Sequence, residues 1–272
     1  MSQGRVHDAV DQATSTHAFE YGARAGYATS ALLHLLIAYI VIRLAFGTAG
    51  NADQSGALAT LGSQTGGAVA LWVAAVALFA MALWRLAEAV VGSHPNTPGE
   101  HDKGAEKQLN RVKSIALAAI YCGLGISAIR FASGAGQSSG QQNAGLSARL
   151  MQSGAGKAAL VVAGLVILGV GCYHIYKGVS QKFLDDLNVH GGPMLTRIGT
   201  VGYIAKGAAL GGAGMLVVIA TLNADPAKAA GIDAAVKTLG QAPFGKFLLI
   251  AAAVGFAAYG AWCLALARYA KM

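Results

Sequence analysis

Three polar side chains lie inside apolar segments of this sequence, and their residue types could support chemistry there. His34, Tyr121 and Lys206 are each flanked by apolar residues on both sides. Ionisable residues at membrane depth face a bundle interior or a cavity and are functional candidates by default. A histidine in this setting can relay a proton or bind a buried cofactor, or it can be hydrogen-bonded within the bundle. Lys206 can also extend back to the inner surface, but together the three are the first candidates to line an axis or a groove.

Three aromatic residues recur near the ends of later apolar segments at one fixed interval. Trp84, Tyr173 and Trp262 are separated by 89 residues each. At a membrane boundary such residues can form an aromatic belt, because an apolar ring with a polar tip suits the interface. The alternative is a ring of aromatic side chains around a central axis, which gates a pore or stacks on a ligand.

Charged and polar residues follow two of these aromatic residues and complete a candidate interfacial cluster. Arg85 and Glu88 follow in the first copy, and His174 and Lys177 occupy the matching positions of the second. Arg85 and Glu88 are three residues apart, so they are neighbours on a helix surface. The cluster can reach the headgroups, or Glu88 can pair with Lys177 across two helices and fix their packing.

Two arginines occupy matching positions at the opposite ends of their apolar segments. Arg43 and Arg130 each follow an isoleucine, and the third copy has only the apolar stretch around Ile219. These cations can anchor to outer headgroups or interact with the carbonyl end of a helix. Alternatively, they form an outer vestibule that attracts anions.

The sequence lacks the residue patterns of the common catalytic and metal sites. It contains no nucleophile–base–acid set, no paired carboxylates at membrane depth and no zinc spacing, and Cys122, Cys172 and Cys263 lie singly in apolar runs. A lone histidine without a second one a helical turn away is a weak indication of metal or haem. We therefore expect no enzymatic activity, no metal site and no cofactor. A hydrophobic cofactor such as a quinone or carotenoid, held in a groove of the fold, is a weaker alternative.

The composition predicts an integral membrane protein. The 272 residues are 55% hydrophobic and 12% charged, against about 25% charged in a soluble domain. The mean hydropathy is +0.51, and several apolar runs approach the length that crosses a bilayer. The net charge of +8 could indicate nucleic acid, but the basic residues sit mainly at helix ends and suit anionic headgroups. We expect membrane lipids as partners, another membrane protein as a further candidate partner, and no nucleic acid.

A tandem repeat with a period of 89 residues organises the chain. Leu61, Leu150 and Leu239 recur at this interval, and so do Gly67, Gly156 and Gly245. Each copy combines two apolar helices around a small polar loop that contains an amphipathic fragment, and so fixed a period indicates a tandem architecture. The predicted membrane helices cover residues 26–46, 68–91, 114–131, 158–179, 198–222 and 247–268.

The fold predicted from these features is an all-α membrane protein with six transmembrane helices. Copies of two helices enter and leave on one side, so the three repeats are parallel and relate by a pseudo-threefold axis along the membrane normal. The amphipathic fragments are expected on the outer face around this axis. The divisions are a cytosolic arm (1–20), three membrane repeats (21–92, 114–180 and 197–272) and two cytosolic linkers (93–113 and 181–196).

The distribution of basic residues predicts the orientation, because cytoplasmic segments carry an excess of Lys and Arg. The arm, the linkers, the tail and the adjoining helix ends hold twelve of the 20 basic residues: Arg5, Arg24, Arg85, Lys103, Lys107, Arg111, Lys113, Lys177, Lys182, Arg197, Arg268 and Lys271. The loops within the repeats hold five: Arg149, Lys157, Lys228, Lys237 and Lys246. We expect both termini in the cytoplasm and the protein in the cytoplasmic (inner) membrane of a bacterium.

Several motifs together resemble one known family. They are GALATL (56–61) followed by LWRLAEA (83–89), LGQAPFG (239–245) followed by Trp262, and a Gly-Tyr pair at 26–27 and 202–203. The pattern resembles the bacterial membrane family called domain of unknown function 1206, which has three two-helix units. The resemblance covers residues 19–269 and implies this topology, with no established activity and no catalytic residues. The second copy departs most, since it has Tyr173, His174 and Lys177 where the first has Trp84, Arg85 and Glu88.

Two functional hypotheses follow from the sequence. The first is an accessory membrane protein that binds lipid or a hydrophobic ligand, because no helix carries an ordered row of polar residues. The second is a small channel or transporter with its route near the repeat axis, because His34, Tyr121 and Lys206 lie within the helices.

Overall fold

The computed structural model describes residues 17–91, 104–188 and 192–271, and for a few residues within these ranges, Glu88 among them, only the backbone. Most of the predicted N-terminal arm and part of the first linker lie outside the described residues. The described chain forms six long helices: α1 (His17–Ala45), α3 (Gly67–Val91), α4 (Gly104–Ala132), α6 (Gly154–Val179), α7 (Pro193–Leu222) and α9 (Gly245–Tyr269). Three short helices lie within the repeats: α2 (Gln54–Gly62), α5 (Ser139–Leu150) and α8 (Ile232–Gln241).

All six long helices have the length and apolar composition to cross a bilayer, so the predicted six-span, all-α fold is confirmed. The helices α1, α4 and α7 begin earlier than the sequence predicts. α4, for example, begins at Gly104, inside the charged linker. Its first turns contain Glu106, Lys107 and Gln108, which are good helix formers. Hydropathy marks where a helix enters the membrane but not where the helix itself begins.

The six long helices form a ring that is interrupted between α4 and α6. The most extensive packing joins helices of successive repeats: α3 packs on α4, α6 on α7, and α9 on α1. The last contact joins the first long helix to the last, and there the Arg24 guanidinium donates to the carbonyl oxygens of Ala267 at 2.9 Å and Arg268 at 2.6 Å. The same contact recurs at three repeat boundaries, as the predicted pseudo-threefold arrangement requires.

The repeated glycines mark the junction between each short helix and the long helix after it. An added Cβ at Gly67, Gly156 or Gly245 would collide with a carbonyl oxygen near the end of the short helix before it. The three carbonyl groups belong to Leu61, Leu150 and Gly240. The 89-residue period therefore records one steric requirement, met three times, because only glycine permits so close a backbone approach.

The short helices interlock at one end of the bundle, which we call the short-helix end. The Ala52 amide donates to Asp233 Oδ1 at 2.7 Å, and the Ser139 amide donates to Ser55 Oγ at 3.0 Å. Asp53 accepts from the Gly56 amide at 2.9 Å and caps α2. All three repeats contribute to these bonds, and Ser55, Asp53 and Asp233 are buried. The first residues of the short helices are therefore buried, whereas the sequence predicts that these helices lie on the outer face.

The opposite end carries the linkers between repeats, and we call it the linker end. A 3₁₀ helix, Lys182–Asp186, follows α6 there and inserts Phe183, which is fully buried. Backbone bonds tie this linker to the end of α9: the Asn188 amide donates to the Tyr269 carbonyl at 2.8 Å, and the Lys271 amide to the Asp186 carbonyl at 3.0 Å. The third repeat is therefore closed at this end.

The second repeat differs from the other two, because its long helices stand apart. α1 packs on α3 and α7 packs on α9, whereas the described residues of α4 and α6 make no comparable packing. Exposed apolar side chains lie along both helices, including Ile120 on α4 and Val166 on α6. The ring consequently has a lateral opening between α4 and α6.

One position of the repeat differs between the closed repeats and the open one. A Cβ added at Gly26 would lie 3.0 Å from Met81 Cβ, and one added at Gly202 would lie 2.7 Å from Tyr259 Cα, so glycine permits close packing in the first and third repeats. The residue 89 positions before Gly202 is Lys113. A lysine at this position does not permit the approach that glycine permits, and its Nζ lies 5.8 Å from the centre of the Tyr173 ring.

Candidate ligand-binding site

Tyr259 is the residue at which the three predicted lining residues meet. Lys206 Nζ donates to Tyr259 Oη at 2.8 Å, and the His34 and Tyr259 rings lie with their centroids 4.7 Å apart. Tyr121 is close enough to act electrostatically on Tyr259. His34 itself is buried, and its Nδ1 lies 2.7 Å from the Ser30 carbonyl oxygen. Residues from α1, α7 and α9 thus contact one another around Tyr259.

A second set of residues extends from this cluster toward the linker end. The His174 ring stacks on Tyr203 with centroids 5.9 Å apart, and Tyr203 meets Tyr259 edge to face at 5.4 Å. Lys177 Nζ lies 5.5 Å from the centre of the Tyr203 ring and pairs with Asp186 Oδ2 at 2.7 Å. Asp186 is therefore the carboxylate that pairs with Lys177. The side chain of Glu88, the partner considered from the sequence, lies outside the described residues.

The aromatic residues of the 89-residue period have different surroundings in the three repeats. Trp262 is fully buried and meets Phe183 edge to face at 4.7 Å. Tyr173 is 49% exposed and faces Lys113. Trp84 and its neighbour Arg85 are partly buried. Their exposure differs, so they form no uniform belt, and at Trp262 the 3₁₀ helix supplies Phe183 as an aromatic neighbour.

The two arginines proposed for an outer vestibule lie on the surface. Arg43 is exposed, and its guanidinium carbon lies 5.6 Å from the centre of the Tyr39 ring. It borders a small cleft of about 200 Å³ that Asn51 and Thr60 also line. Arg130 is exposed on α4, and no contact among the described residues joins it to Arg43.

The converging residues are basic or neutral. Among the described residues, ion pairs join carboxylates to Lys177, Lys228 and Lys237, and none involves Lys206 or Lys113. His174 lies one helical turn from Lys177, and its neighbour Tyr173 faces Lys113. His174 also stacks on Tyr203, which contacts Tyr259, the partner of Lys206. We call Lys206, His174, Lys113, Tyr121 and Tyr259 the inner cluster.

The opening in the second repeat leads toward this inner cluster. Lys113 and Tyr121 belong to α4 and His174 to α6, the two helices that border the opening. Val166 and Val170, on the same helix as His174, are 60% and 42% exposed. The site therefore has an apolar rim at membrane depth and basic groups behind it.

A separate apolar groove lies in the third repeat. It has a volume of about 460 Å³ and runs between α7 and α9 beneath α8, within the range of about 300–1,000 Å³ for small-molecule pockets. Its lining is apolar and includes Val201, Ala205, Leu239, Leu248 and Phe256. In the third repeat this groove occupies the place that the opening occupies in the second, but close packing seals it from the inner cluster.

The described residues contain no cluster of side chains that could bind a metal ion. Within residues 17–91, 104–188 and 192–271 no group of three or more His, Cys, Asp or Glu side chains is placed to bind a metal. Cys122, Cys172 and Cys263 are free thiols. The arrangement is suited to binding through charge, hydrogen bonds and apolar contact.

Sequence reasoning missed Tyr259, Tyr203, Phe183 and Lys113. Tyr259 and Tyr203 are phenols within apolar runs, as Tyr121 is, and the same criterion would have selected them. Lys113 breaks the Gly-Tyr pair found at 26–27 and 202–203, so a comparison of the three copies would have identified it. Phe183 carries no comparable signal, because a linker phenylalanine becomes structural only through its tertiary contacts.

The ring of six apolar spans in three repeats defines a multi-pass membrane protein built from tandem two-span units. The chain belongs to the family Domain of Unknown Function (DUF1206), which matches residues 25–92, 112–181 and 201–270. This confirms the resemblance and the three-repeat organisation inferred from the sequence. Gly26, Lys113 and Gly202 are each the second residue of a matched segment, which supports their equivalence.

The chain is also similar to a protein of Bacillus subtilis (strain 168) described as "Uncharacterized protein YxxB". The two are 25% identical over 274 residues, which cover 98% of this chain and 97% of the relative. The similarity therefore spans all three repeats and both linkers. No solved structure matches this chain.

Proposed function

We propose that this protein is an accessory membrane protein that binds an amphipathic molecule of the bilayer, a lipid or lipid-like compound, in the opening between α4 and α6. The observation that carries the proposal is the absence of close packing between these two helices, within the described residues, where the other repeats are closed. The apolar rim suits a hydrocarbon chain, and the polar groups behind the rim suit a headgroup. A ligand that reaches the opening from the side does not have to cross the membrane.

The closed ends of the bundle favour binding over permeation. Buried hydrogen bonds join the three repeats at the short-helix end. At the linker end, Phe183 packs between Tyr203 and Trp262, with centroids 5.2 Å and 4.7 Å away. A route along the axis would require both regions to separate. We therefore favour ligand binding over transport. We propose neither an enzymatic activity nor a nucleic acid partner. Another membrane protein is a further candidate partner.

We also propose that the protein resides in the bacterial cytoplasmic membrane with the linker end in the cytoplasm. The excess of Lys and Arg at that end supports this orientation. Thr65 and Ser180 are exposed near the short-helix end and the linker end, respectively. In a variant without the native cysteines, a membrane-impermeant maleimide is expected to label Thr65→Cys but not Ser180→Cys in intact cells. The reverse labelling pattern would contradict the orientation.

The binding proposal is tested by filling the opening. By the repeat equivalence, Val170 corresponds to Met81 and Tyr259, which pack against the neighbouring helix of their repeats. Val170→Trp should therefore occupy the opening and reduce the lipid that native mass spectrometry detects on gently extracted protein. Leu165→Trp is the matched control, because Leu165 is 53% exposed on another face of the same helix.

Two results would contradict the binding proposal. One is extracted wild-type protein that carries no lipid or lipid-like ligand. The other is equal ligand retention by the wild type, Val170→Trp and Leu165→Trp, since a ligand in the opening must be displaced by the first substitution alone.

A further inference from the structure

We infer that the polar group of the bound amphiphile is an anion, a phosphate or a carboxylate, and that Lys206 holds it with His174 and Lys113 beside it. This inference rests on the proposed function and specifies the chemistry of the same site. It assigns the source of the anion to a membrane lipid headgroup.

Lys206 supplies the first part of the argument. Its ammonium group lies in the membrane-spanning part of α7, and it donates to the Tyr259 hydroxyl at 2.8 Å. Its Nζ also lies 4.2 Å from the centre of the Tyr259 ring. A phenol and an aromatic face stabilise a cation, but neither neutralises its charge. No described carboxylate supplies the counter-charge, and an ammonium has two further N–H groups to donate.

The neighbouring residues point to an anion and not to a cation. Contacts link His174 to two of the lysines: Tyr173 beside it faces Lys113, and Tyr203, on which it stacks, meets Tyr259, the partner of Lys206. The Nδ1–H of His174 donates to the Val170 carbonyl oxygen at 2.9 Å, so Nε2 of the neutral imidazole is an acceptor and can take a hydrogen bond from a headgroup hydroxyl beside the anion. The favourable charge for the anion therefore comes from the lysines. Lys113 lies at the mouth of the opening, over Tyr173. A negatively charged headgroup meets favourable charge along this whole path, and basic pockets between membrane helices bind such headgroups.

The repeat pattern confines this site to one place in the molecule. The positions equivalent to Lys206 in the first and second repeats are Ser30 and Leu117. The position equivalent to Lys113 is glycine in both other repeats. Lys206 and Lys113 therefore have no basic equivalent in the other repeats. Lys113 faces Tyr173 of α6, and α6 packs on α7, which carries Lys206. One anion site per chain follows.

The experiment compares two lipids that differ only in headgroup charge. Delipidated full-length protein in detergent is titrated with phosphatidylglycerol or with phosphatidylcholine of the same acyl chains, and bound lipid is measured by native mass spectrometry. Phosphatidylglycerol should bind about tenfold more tightly, which is the effect of roughly one charge-assisted hydrogen bond. Inorganic phosphate alone forms a third arm, read by thermal stability and by displacement of bound lipid.

Variants locate the effect at Lys206. Lys206→Met should abolish the preference for phosphatidylglycerol, and Lys206→Arg should keep it because the charge remains. Lys157→Met is the matched control, since Lys157 is exposed at the start of α6 near the short-helix end. If Lys206→Met does not fold, Lys113→Ser at the mouth of the opening should weaken the preference in a folded protein.

The outcomes separate the inference from the function on which it rests. Retention of neither lipid contradicts the binding proposal itself. Equal retention of both lipids, or an unchanged preference in both Lys206→Met and Lys113→Ser, overturns the anion assignment and leaves lipid binding in place. Inorganic phosphate that binds as tightly as phosphatidylglycerol and displaces it would reassign the site to a free anion.

Discussion

Phe183 shows how much of the linker end depends on one side chain. It is fully buried, stacks on Tyr203 with centroids 5.2 Å apart and meets Trp262 edge to face. Gly199 lies against its ring, where any Cβ would collide. The phenylalanine belongs to a linker and the other residues belong to α7 and α9, so this contact fastens the junction between the second and third repeats.

We expect Phe183→Ala to destabilise the protein by about 3–5 kcal/mol, the usual cost of removing a buried aromatic ring from a core. The measurement is the thermal unfolding midpoint in detergent. Phe244→Ala serves as control, because Phe244 is 79% exposed and its removal leaves no cavity. If the two variants unfold at the same temperature, the contact does not fasten the linker.

At the scale of elements, the interface between α6 and α7 is built from glycine. A Cβ added at Gly171 would lie 2.5 Å from the Gly211 nitrogen and 2.7 Å from the Gly207 carbonyl oxygen. A Cβ at Gly214 would lie 2.5 Å from the Leu168 nitrogen. Lipid provides no hydrophobic drive for helices to associate, so close backbone contact is the main source of attraction. This explains why α6 and α7 form the most extensive contact in the ring.

Gly171→Ala should therefore lower stability by about 1–3 kcal/mol, the range for overpacking a close contact. Gly169→Ala, two residues away, should be neutral or slightly stabilising, because open space surrounds that position and alanine is the better helix former. Unfolding in detergent, followed by circular dichroism, distinguishes them. Equal behaviour of the two variants would show that the glycines do not set the approach of the helices.

These elements also show what the sequence can and cannot predict. Period, hydropathy and basic-residue distribution predicted six spans, three repeats and a pseudo-threefold ring, because each depends on many residues. Glycines in one stretch of sequence have different surroundings: an added Cβ would collide at Gly164, Gly171 and Gly207, whereas Gly169 faces open space. Composition alone does not reveal which side of a helix meets its neighbour.

The candidate site was harder to predict than the fold, since it depends on single contacts. His34, Tyr121 and Lys206 were selected as polar residues among apolar ones, and their convergence on Tyr259 needed the helix rotations that tertiary packing determines. The pairing of Lys177 with Asp186 depends on how the linker folds back after α6. The opening between α4 and α6 occurs in the repeat that has Lys113 in place of glycine. A search for similar residues in the three repeats does not draw attention to a position at which they differ.

At the scale of the whole molecule, the ring has two closed repeats and one open repeat. The open repeat has Lys113 at the position that is glycine in the other two repeats, where glycine permits close packing. Val166 adds bulk in the same interface, since the equivalent residue of the third repeat is Gly255, where a Cβ would collide with Ala205. The asymmetry is therefore encoded in the second copy of the sequence.

We expect Lys113→Gly to bring α4 toward α6 and narrow the opening. Spin labels at Ile120→Cys on α4 and Leu165→Cys on α6, in a variant without the three native cysteines, report the distance between the helices. The distance should shorten in Lys113→Gly and stay constant in Lys157→Gly, where the exposed lysine lies at the beginning of α6. An unchanged distance in both variants would mean that another feature holds the repeat open.

The contact between α1 and α9 joins the first long helix to the last, and this determines the order in which the helices can pack during synthesis. The hydrogen bond from Arg24 to the Ala267 carbonyl spans 243 residues of chain. The translocon releases α1 first among these helices, and the surface of α1 that α9 will cover stays in contact with lipid or with the insertion machinery until α9 emerges. Each of the other two repeat boundaries can form as soon as its second helix leaves the ribosome. The third repeat therefore docks on the first only when α9 emerges, and the gap between α4 and α6 is the one that remains among the described helices.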